Sequence, residues 1–251
     1  MTARNEAEYI QKIIKKVGRA VNEYGLIGEG DRCLVAMSGG RDSQVLLETI
    51  ALRRKHLPIS YELFAVHVDV QSVPYEADRE DLETFSRRMD AEFFFRGVDI
   101  DTAGKDAGEI CFLCSWRRRR VLFDMMKELR CSKLVFGHHL DDIVETLFMN
   151  MAYQGSISTM PPKLSMFGGE FDIIRPLCLL TKDEILEYVR IRGFREQKKE
   201  CPYSGSTGRR EAGKLIAEFT AKNKDAKQSL FNSMSNIKPE YLPRKINTSR
   251  E

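Results

Sequence analysis

The sequence predicts an α/β protein with a doubly wound, mainly parallel sheet and a helical extension at each end. Short runs that are apolar throughout alternate along the chain with longer stretches of helical periodicity. Strands without polar alternation are buried on both faces, as in a parallel sheet that helices cover. No repeat or low-complexity segment interrupts the alternation. We therefore expect a main domain at 31–205, a helical region at 1–30, and a helical region with a basic tail at 206–251.

Each element has its own signal in the sequence. An amphipathic pattern predicts a first helix at 5–24. The apolar runs that predict strands lie at 33–37, 62–70, 92–95, 133–139 and 171–177. Helical patterns between and after these runs lie at 42–55, 75–90, 114–130 and 141–153, and again from about 209. Gly168 and Gly169 predict a hairpin turn before the last strand, and a capping box of Thr181 and Glu184 opens a helix through Arg192.

Composition limits the class of protein more than its function. Of the 251 residues, 42% are hydrophobic and 31% are charged, which is the balance of a protein with a sizeable buried core. No apolar run reaches the roughly 18 residues of a transmembrane helix, and the N-terminus lacks the apolar segment of a secretory signal. We expect a cytoplasmic protein without a membrane partner. The net charge of +3 does not by itself indicate nucleic acid, although arginines fill 117–120 and the tail at 238–250 is basic.

The hexapeptide SGGRDS lies between the first predicted strand and its helix. Ligands of parallel sheets bind at the carboxyl ends of strands, which is the position of this hexapeptide. Glycines there let backbone N–H groups approach an anion, and the helix start adds a partial positive charge. Ser38 and Ser43 can donate to phosphate, and Asp42 suits a Mg²⁺ ion that the phosphates share. A simple glycine turn with a serine cap is the alternative, but the pattern favours a phosphate site.

A second polar cluster, GHHLDDIVETLF, follows the fourth predicted strand. His138, Asp141 and Asp142 are expected to face the phosphate site, and carboxylates beside phosphates again suggest a metal ion. Alternatively, His139 only orients the turn and Asp141 only caps the helix. Arg175 ends the fifth predicted strand, where its guanidinium is placed to meet phosphate charge.

The six cysteines fall into two groups. In a cytoplasmic chain we expect no disulfides. Cys33 and Cys131 are expected in or near the core, and the position of Cys178 is ambiguous. Cys111 and Cys114 have the C-x-x-C spacing that can bind a metal or form a redox dithiol.

Cys201, in the stretch KECPYSG, is the remaining loop cysteine. Three thiolates without an evident fourth ligand favour an iron–sulfur cluster with one open iron over structural zinc, which normally has four protein ligands. Zinc stays an alternative, with His138 or His139 as its fourth ligand. A thioredoxin-like dithiol is disfavoured because Cys111 and Cys114 are not predicted to open a helix.

Together these motifs resemble the tRNA 2-thiocytidine synthetase (TtcA) family, within the PP-loop superfamily of N-type ATP pyrophosphatases. The resemblance rests on SGGRDS, the C-x-x-C pair, GHHLDDIVETLFMNM, MPPKL and IRPL, and it covers roughly residues 10–240. There are two departures. Arg41 stands where the family usually has lysine, and its fork is larger and more rigid. CPYS replaces a second C-x-x-C, so that Cys201 stands alone there.

The resemblance implies ATP-dependent thiolation of tRNA, in which the C2 oxygen of a pyrimidine, above all cytidine 32, is adenylated and replaced by sulfur. It implies a PP-loop (adenine nucleotide alpha hydrolase-like) fold with ATP, Mg²⁺ and a 4Fe-4S cluster. Its partners would be tRNA and a sulfur donor such as a cysteine desulfurase or free sulfide, and it permits a homodimer.

The candidate site residues fall into three sets, and the resemblance implies the first two. The catalytic and metal-binding set is Cys111, Cys114 and Cys201 for the cluster, with Asp42 and Asp142 for Mg²⁺. The ATP-binding set is Ala36, Ser38, Gly39, Gly40, Arg41, Asp42, Ser43, His67, Val68, Gly137, His138, Asp142 and Arg175. The third set comes from the basic helix itself: Arg118 or Arg119 is expected to contact RNA phosphates, with pairing of one or two of the four arginines to Asp124 or Glu128 as the alternative. Trp116 is expected in the core, with stacking on a splayed base as the alternative.

Other functions fit parts of the pattern. One is sulfur transfer to another tRNA base or to a small molecule. Another is a regulatory protein that binds a nucleotide and zinc without turnover. A tRNA lysidine-type ligase would share the phosphate loop, but its reaction has no need of the thiols.

Overall fold

The computed structural model describes residues 3–75, 77–194, 201, 203 and 207–243. The elements in chain order are α1 (Ala3–Glu23), β1 (Arg32–Ala36), α2 (Arg41–Arg54), β2 (Glu62–Val70), α3 (Arg79–Arg88), β3 (Glu92–Val98), α4 (Ala107–Glu128), β4 (Lys133–Val135), α5 (Leu140–Gln154), β5 (Lys163–Met166), β6 (Phe171–Ile174), α6 (Lys182–Arg192), α7 (Thr207–Lys222), α8 (Ala226–Ser233) and a 3₁₀ turn (Pro239–Tyr241). The end of the predicted basic tail, from 244 onward, lies outside the described residues.

The strands form one six-stranded sheet in the order β3-β2-β1-β4-β6-β5. Neighbouring strands are parallel except β5 and β6, which form an antiparallel hairpin. The predicted fold class is therefore confirmed. Gly168 and Gly169 make the predicted hairpin turn with φ values of 71° and 98°, which favour glycine. Because β1 and β4 are neighbours, the chain reverses its winding between them, and ligands bind at such a switch point.

Helices cover both faces of the sheet. On one face, α1, α2, α3 and α6 pack against the strands, and on the other face α4 does so. Within β1, Cys33 and Val35 face the first layer and Leu34 faces the second. A third apolar cluster joins α5 and α8 to the end of α1. Cys131 is also buried, as predicted, and Cys178 proves to be a core thiol.

The first helix is amphipathic, as its sequence predicts. Ile13 and Val17 of α1 are fully buried in the large layer that also contains α2 and α6. Burying such side chains contributes roughly 1.5–3 kcal/mol each. In the described part of the chain, we find no helix with the length and apolar character needed to cross a bilayer.

Helix α4 begins seven residues earlier than predicted. The Asp106 side chain accepts a hydrogen bond from the backbone N–H of Glu109, and the Glu109 side chain accepts one from the backbone N–H of Asp106. Together the two bonds form a complete capping box. As a result, Cys111 and Cys114 both lie near the start of α4, whereas the predicted helix began at Cys114. The expectation that this pair does not open a helix is therefore wrong. The predicted helix at 75–90 is shorter, since α3 is capped by Asp78.

Candidate active site

The loop between β1 and α2, residues 38–43, is here called the phosphate loop. Gly39 has a φ of 86°, a conformation that L-residues rarely adopt. The Ser43 hydroxyl donates to the Gly40 carbonyl at 2.7 Å, and the Gly40 N–H donates to Ser38 Oγ at 3.2 Å. Gly40 is the N-cap of α2 and no side chain caps the helix. The alternative of a serine cap is therefore not formed, and the positive end of α2 is directed at the loop.

Gly137 lets the β4–α5 loop lie directly against the phosphate loop. A Cβ atom at this position would stand 3.2 Å from both the carbonyl carbon and the oxygen of Asp42, and 3.3 Å from the backbone nitrogen of Ser43. These are backbone atoms, which cannot turn aside as a flexible side chain can. Any larger residue would therefore push the backbones of the two loops apart by a few tenths of an ångström, which favours glycine at this position.

The charge of Asp142 acts on two further carboxylates, Asp42 and Glu145, although the described residues hold no group of three such side chains close enough to bind one metal ion. Burial raises the pKa of Asp42, the charge of His139 opposes this shift, and the nearby charge of Asp142 adds to it. Burial also raises the pKa of Glu145, again with Asp142 as the next cause. Carboxylates that crowd one another in this way are suited to a divalent cation. Glu145 was not predicted, although its spacing of three residues from Asp142 places both on one face of α5.

Arg209 of α7 extends to the same carboxylates. Its Nη1 lies 3.9 Å from Asp142 Oδ1, and its Nε lies 3.7 Å from Glu145 Oε2. A guanidinium that is partly exposed beside a phosphate loop can bind phosphate as well as carboxylate. The sequence did not reveal Arg209, because the segment at 207–222 has the composition of an ordinary surface helix.

His139 and Asp141 have structural roles. The His139 N–H donates to Asp142 Oδ2 at 3.0 Å, and its ring Nδ1 accepts from the Asp142 N–H at 3.4 Å, so that the two residues cap α5. Asp141 accepts from the backbone N–H of Lys182 at 2.9 Å and from the Lys227 ammonium. The expectation that Asp141 faces the phosphate site, or caps α5, is therefore wrong, because its oxygens join α5 to α6 and α8.

Buried side-chain nitrogens without a hydrogen-bond partner are concentrated around this edge of the sheet. Among the described residues, seven buried side-chain N or O atoms have no partner. Four of them are His67 Nε2, Arg118 Nε, His138 Nδ1 and Arg175 Nε. An unsatisfied buried polar atom costs about 1–3 kcal/mol. Their concentration next to the phosphate loop supports a site that a bound group completes.

Burial sets the charge states of His138 and Arg175. Burial lowers the pKa of His138 to about 4, with the charge of Asp142 opposing the shift. The imidazole is therefore neutral near pH 7. Burial lowers the pKa of Arg175 to about 10, so this guanidinium stays charged. Arg175 Nη1 donates to the carbonyl of Pro161 at 2.6 Å, and this bond fixes the orientation of the guanidinium.

The residues predicted to bind adenine lie on β1 and β2. His67 Nδ1 donates to the Met37 carbonyl at 2.7 Å, and the ring stacks on Phe95 with centroids 5.6 Å apart. The His67 side chain thus fixes the end of β1. Val68 is buried and Ala36 is half-buried. Their role in binding adenine through the backbone stays a prediction.

The three candidate ligand cysteines, here called the thiol site, lie near one another. Cys111 and Cys114 are one turn apart on α4. Burial raises the pKa of Cys114, the charge of Arg118 lowers it, and the thiols of Cys201 and Cys111 raise it further. Cys114 and Cys201 pack against a small buried cluster that consists of Val70, Val73 and Ile110.

The thiol site fits an iron–sulfur cluster better than a single ion. In the described ranges, no three or more His, Cys, Asp or Glu side chains are grouped to hold one metal ion. The zinc site with His138 or His139 as fourth ligand is therefore not formed there. The cysteines of a four-iron cluster each bind a different iron and need not converge on one point. Cys114 and Cys201 lie against the apolar cluster, which limits the access of solvent to their side of the site, while Cys111 is exposed.

Tyr75 connects the phosphate loop with the thiol site. Its hydroxyl donates to the Ser38 carbonyl at 2.8 Å, and the Arg118 guanidinium lies 5.8 Å from its ring centroid. Burial raises the pKa of Tyr75, Arg118 lowers it, and the nearby Cys201 raises it. The two sites therefore share Tyr75 as a common boundary.

The four arginines of α4 differ in exposure. Arg117 and Arg118 are half-buried, whereas Arg119 and Arg120 are exposed. Arg118 faces Tyr75, and so its side chain is turned toward the thiol site rather than the outer surface. Trp116 is 47% exposed, and the expectation that it lies in the core is wrong.

Comparisons with known proteins agree with this geometry. Residues 7–199 match the family described as the PP-loop domain. The chain is 35% identical over 238 residues to a tRNA-cytidine(32) 2-sulfurtransferase of Geobacter sulfurreducens, and the match covers 92% of each chain. It is 33% identical to the enzyme of that name from Syntrophotalea carbinolica, over 94% of this chain and 93% of the relative. The fold resembles that of the U34-tRNA thiolase NcsA from Methanococcus maripaludis, solved with its [4Fe-4S] cluster, with a TM-score of 0.74 at 21% identity, over 96% of this chain and 82% of that one.

Proposed function

The chain belongs to the tRNA-cytidine(32) 2-sulfurtransferase family of PP-loop proteins, and on that basis we propose that it is an ATP-dependent tRNA sulfurtransferase. It adenylates the C2 oxygen of a tRNA pyrimidine, cytidine 32, and replaces that oxygen with sulfur. The observation that carries this proposal is the contact of Tyr75 with both the phosphate loop and the surroundings of the thiol site. A nucleotide-activating site and a sulfur-carrying site must adjoin if sulfur is to reach the activated carbon.

The phosphate loop positions ATP for attack by the C2 oxygen. This oxygen is a poor leaving group, and its attack on the α-phosphate converts it into an adenylate as pyrophosphate departs. Backbone N–H groups at the start of α2 bind the phosphates and hold them in line. Arg175 and Arg41 neutralise the charge that develops on the departing pyrophosphate. The neutral imidazole of His138 can accept a hydrogen bond here without adding charge.

Asp42 and Asp142 would hold Mg²⁺ beside the phosphate loop, together with phosphate oxygens. When bound, Mg²⁺ screens the phosphate oxygens and helps to keep the leaving pyrophosphate in place. Arg209, which faces Asp142 and Glu145, adds a cation at the open side of the site.

Cys111, Cys114 and Cys201 would hold a 4Fe-4S cluster. When bound by three cysteines, such a cluster leaves one iron without a protein ligand and open to a sulfur atom. In the second half of the reaction the C–O bond at C2 breaks, the oxygen leaves as part of AMP, and a C–S bond replaces it. Val70, Val73 and Ile110 exclude water from the side of the thiols that they cover.

The partners follow from the reaction. The substrate is tRNA, and the sulfur comes from a cysteine desulfurase or from free sulfide. We expect the protein in the cytoplasm with its tRNA substrate. A homodimer is a further expectation that sedimentation would check.

Replacement of Cys201 tests the proposal. Cys201→Ala should abolish 2-thiocytidine formation while ATP binding stays close to that of the wild type, because Cys201 does not contribute to the phosphate loop. Cys131→Ala, which removes a buried thiol outside the site, is the matched control and should retain thiolation. Nucleoside mass spectrometry of tRNA from complemented deletion cells measures the product. Continued thiolation by Cys201→Ala would contradict the cluster assignment, and loss of a different thionucleoside in the deletion strain would change the substrate.

A further inference from the structure

The outer side of α4 carries a group of exposed side chains that the ATP chemistry does not use. Phe112 and Trp116 are 69% and 47% exposed, and they stand one turn apart on the same side of the helix. Arg119 and Arg120 are exposed as well. The Arg120 guanidinium lies 5.7 Å from the centroid of the Trp116 ring, within the range of a cation–π contact. We call these four residues the aromatic–arginine face.

The aromatic–arginine face adjoins the thiol site. Cys111, the most exposed of the three cysteines, directly precedes Phe112 in α4. Successive side chains of a helix differ in direction by about 100°, so Cys111 lies at the edge of the face, whereas Cys114 is directed away from it. The charge of Arg119 contributes to the lowered pKa of Arg175, after burial. Arg119 is therefore near enough to Arg175 for the two charges to interact.

Stacking rings and cations in this arrangement suit one class of ligand. Unstacked RNA bases bind by stacking on aromatic side chains and guanidinium planes, while the phosphates between them bind cations. We propose that the aromatic–arginine face binds the single-stranded loop of the tRNA substrate, with a base next to the target nucleotide stacked on Trp116 and phosphates bound by Arg119 and Arg120. The proposal rests on the proposed function, because it names how the tRNA reaches that same site.

The charge of the face favours RNA over a protein partner. Aromatic side chains and arginine also occur at protein interfaces, but the two exposed arginines here carry positive charge that the phosphates of an RNA would neutralise. Asp124 and Glu128 are the acids of α4 that could have neutralised these arginines, but Glu128 pairs with Arg96 of β3 at 3.0 Å, and among the described residues no ion pair joins Asp124 to Arg120. The face thus presents positive charge and aromatic surface together.

Tryptophan fluorescence tests this directly. The chain contains one tryptophan, so the emission of the full-length protein reports on this face alone. Titration with an RNA stem-loop that contains the anticodon loop should quench the emission, with the same midpoint as filter binding. Free tryptophan amide, titrated with the same RNA, corrects for absorption. Unchanged emission at saturating RNA would overturn the proposal.

Substitutions separate stacking from charge. Trp116→Leu should weaken RNA binding about tenfold, whereas Trp116→Phe, which keeps a stacking ring, should stay within about threefold of the wild type. Arg120→Gln should reduce the slope of log Kd against log salt by about 0.7. Phe219→Leu removes an equally exposed ring from α7 and is the control that should bind RNA normally.

The outcomes distinguish this proposal from the proposed function. If the wild type binds and thiolates tRNA while Trp116→Leu binds it equally well, the face assignment fails and the function stands. If Trp116→Leu instead alters sedimentation without affecting RNA binding, the face is a protein interface and the proposal is overturned. If the wild type neither binds nor thiolates tRNA, both fail.

Discussion

The phosphate loop and the thiol site differ in how much of the chain is needed to build them. The phosphate loop lies within residues 38–43, between a buried strand and a helix, and its shape comes from Gly39 and from hydrogen bonds within the loop. The thiol site combines the start of α4 with Cys201, which is distant in sequence, and both pack against the same apolar cluster. A site made of local backbone is therefore evident from a short motif, whereas the thiol site depends on long-range packing.

A substitution in one site should consequently impair the function of that site and leave the other site intact. Among the described residues, Tyr75 contacts Ser38 and lies near Cys201, and the charge of Arg118 acts on both His67 and Cys114. These two side chains, Tyr75 and Arg118, lie between the sites. Substitutions can show whether the separation holds.

Asp42→Asn should have the largest effect. Loss of the carboxylate removes a Mg²⁺ ligand next to the phosphates and should slow tRNA-dependent pyrophosphate release by about 100-fold or more. Iron and sulfide content should stay at the wild-type value, since Asp42 contributes nothing to the thiol site. Asp124→Asn, an exposed change on α4, is the control. Loss of iron in Asp42→Asn would show that the sites are not separable.

Gly137→Ala should lower both stability and ATP affinity, because the added methyl group displaces the backbone of the phosphate loop. The added Cβ would stand 3.2 Å from the Asp42 backbone, and such overpacking lowers the free energy of unfolding by about 1–3 kcal/mol. ATP binding should weaken about tenfold, measured by calorimetry. Gly28→Ala places its Cβ 3.7 Å from the nearest atom, an ordinary contact, and should change neither quantity. Normal ATP binding by Gly137→Ala would contradict the close approach of the two loops.

Tyr75→Phe tests the residue that both sites share. It removes the 2.8 Å hydrogen bond to the Ser38 carbonyl and keeps the ring near Arg118. A hydrogen bond of this kind contributes about 1 kcal/mol, so ATP binding should weaken about fivefold. Tyr61→Phe loses a comparable 2.7 Å bond to Ile50 away from the site, and should lower stability without affecting ATP. Equal ATP affinity in the two variants would show that the Tyr75 hydroxyl does not contribute to ATP binding.

The smallest effect concerns His138 and pH. Its folded-state pKa of about 4 lies below the ordinary value of 6.5, so the unfolded chain takes up a proton first as the pH falls. The free energy of unfolding should therefore decrease below about pH 6.5, by somewhat under 1 kcal/mol between pH 7.5 and 6. Urea denaturation of His138→Gln should lack this part of the decrease. An identical pH dependence in wild type and variant would show that His138 is not buried and neutral.

Elements with one dominant local signal could be predicted from the sequence to the residue. The unbroken apolar run of β2 and the Thr181–Glu184 capping box of α6 are examples. The start of α4 was missed because its first turns are largely exposed and so lack apolar periodicity. The same exposure made the interpretation of Trp116 wrong, because a lone tryptophan in a helix is more often buried.

The candidate site shows the same limit. Ser38, Asp42 and Asp142 could be identified because they belong to contiguous motifs that follow strands. Arg209 could not, because its proximity to Asp142 and Glu145 arises from the packing of α7 on α5. Glu145 was overlooked although its spacing from Asp142 along α5 was a local signal. Asp141 was expected at the site but binds Lys182 and Lys227 instead. This difference also depends on helices that are distant in sequence.

The distance between the two centres is the most direct test of whether they serve one reaction. Mn²⁺ can replace Mg²⁺ beside bound ATP, and its magnetic interaction with the reduced cluster can be measured by pulsed EPR. If the phosphate loop and the thiol site act on the same nucleotide, the separation should be on the order of 10 Å, since the reacting atoms must come within about 3.5 Å of each other. A separation of about 25 Å or more, close to the full width of a domain of this size, would contradict it.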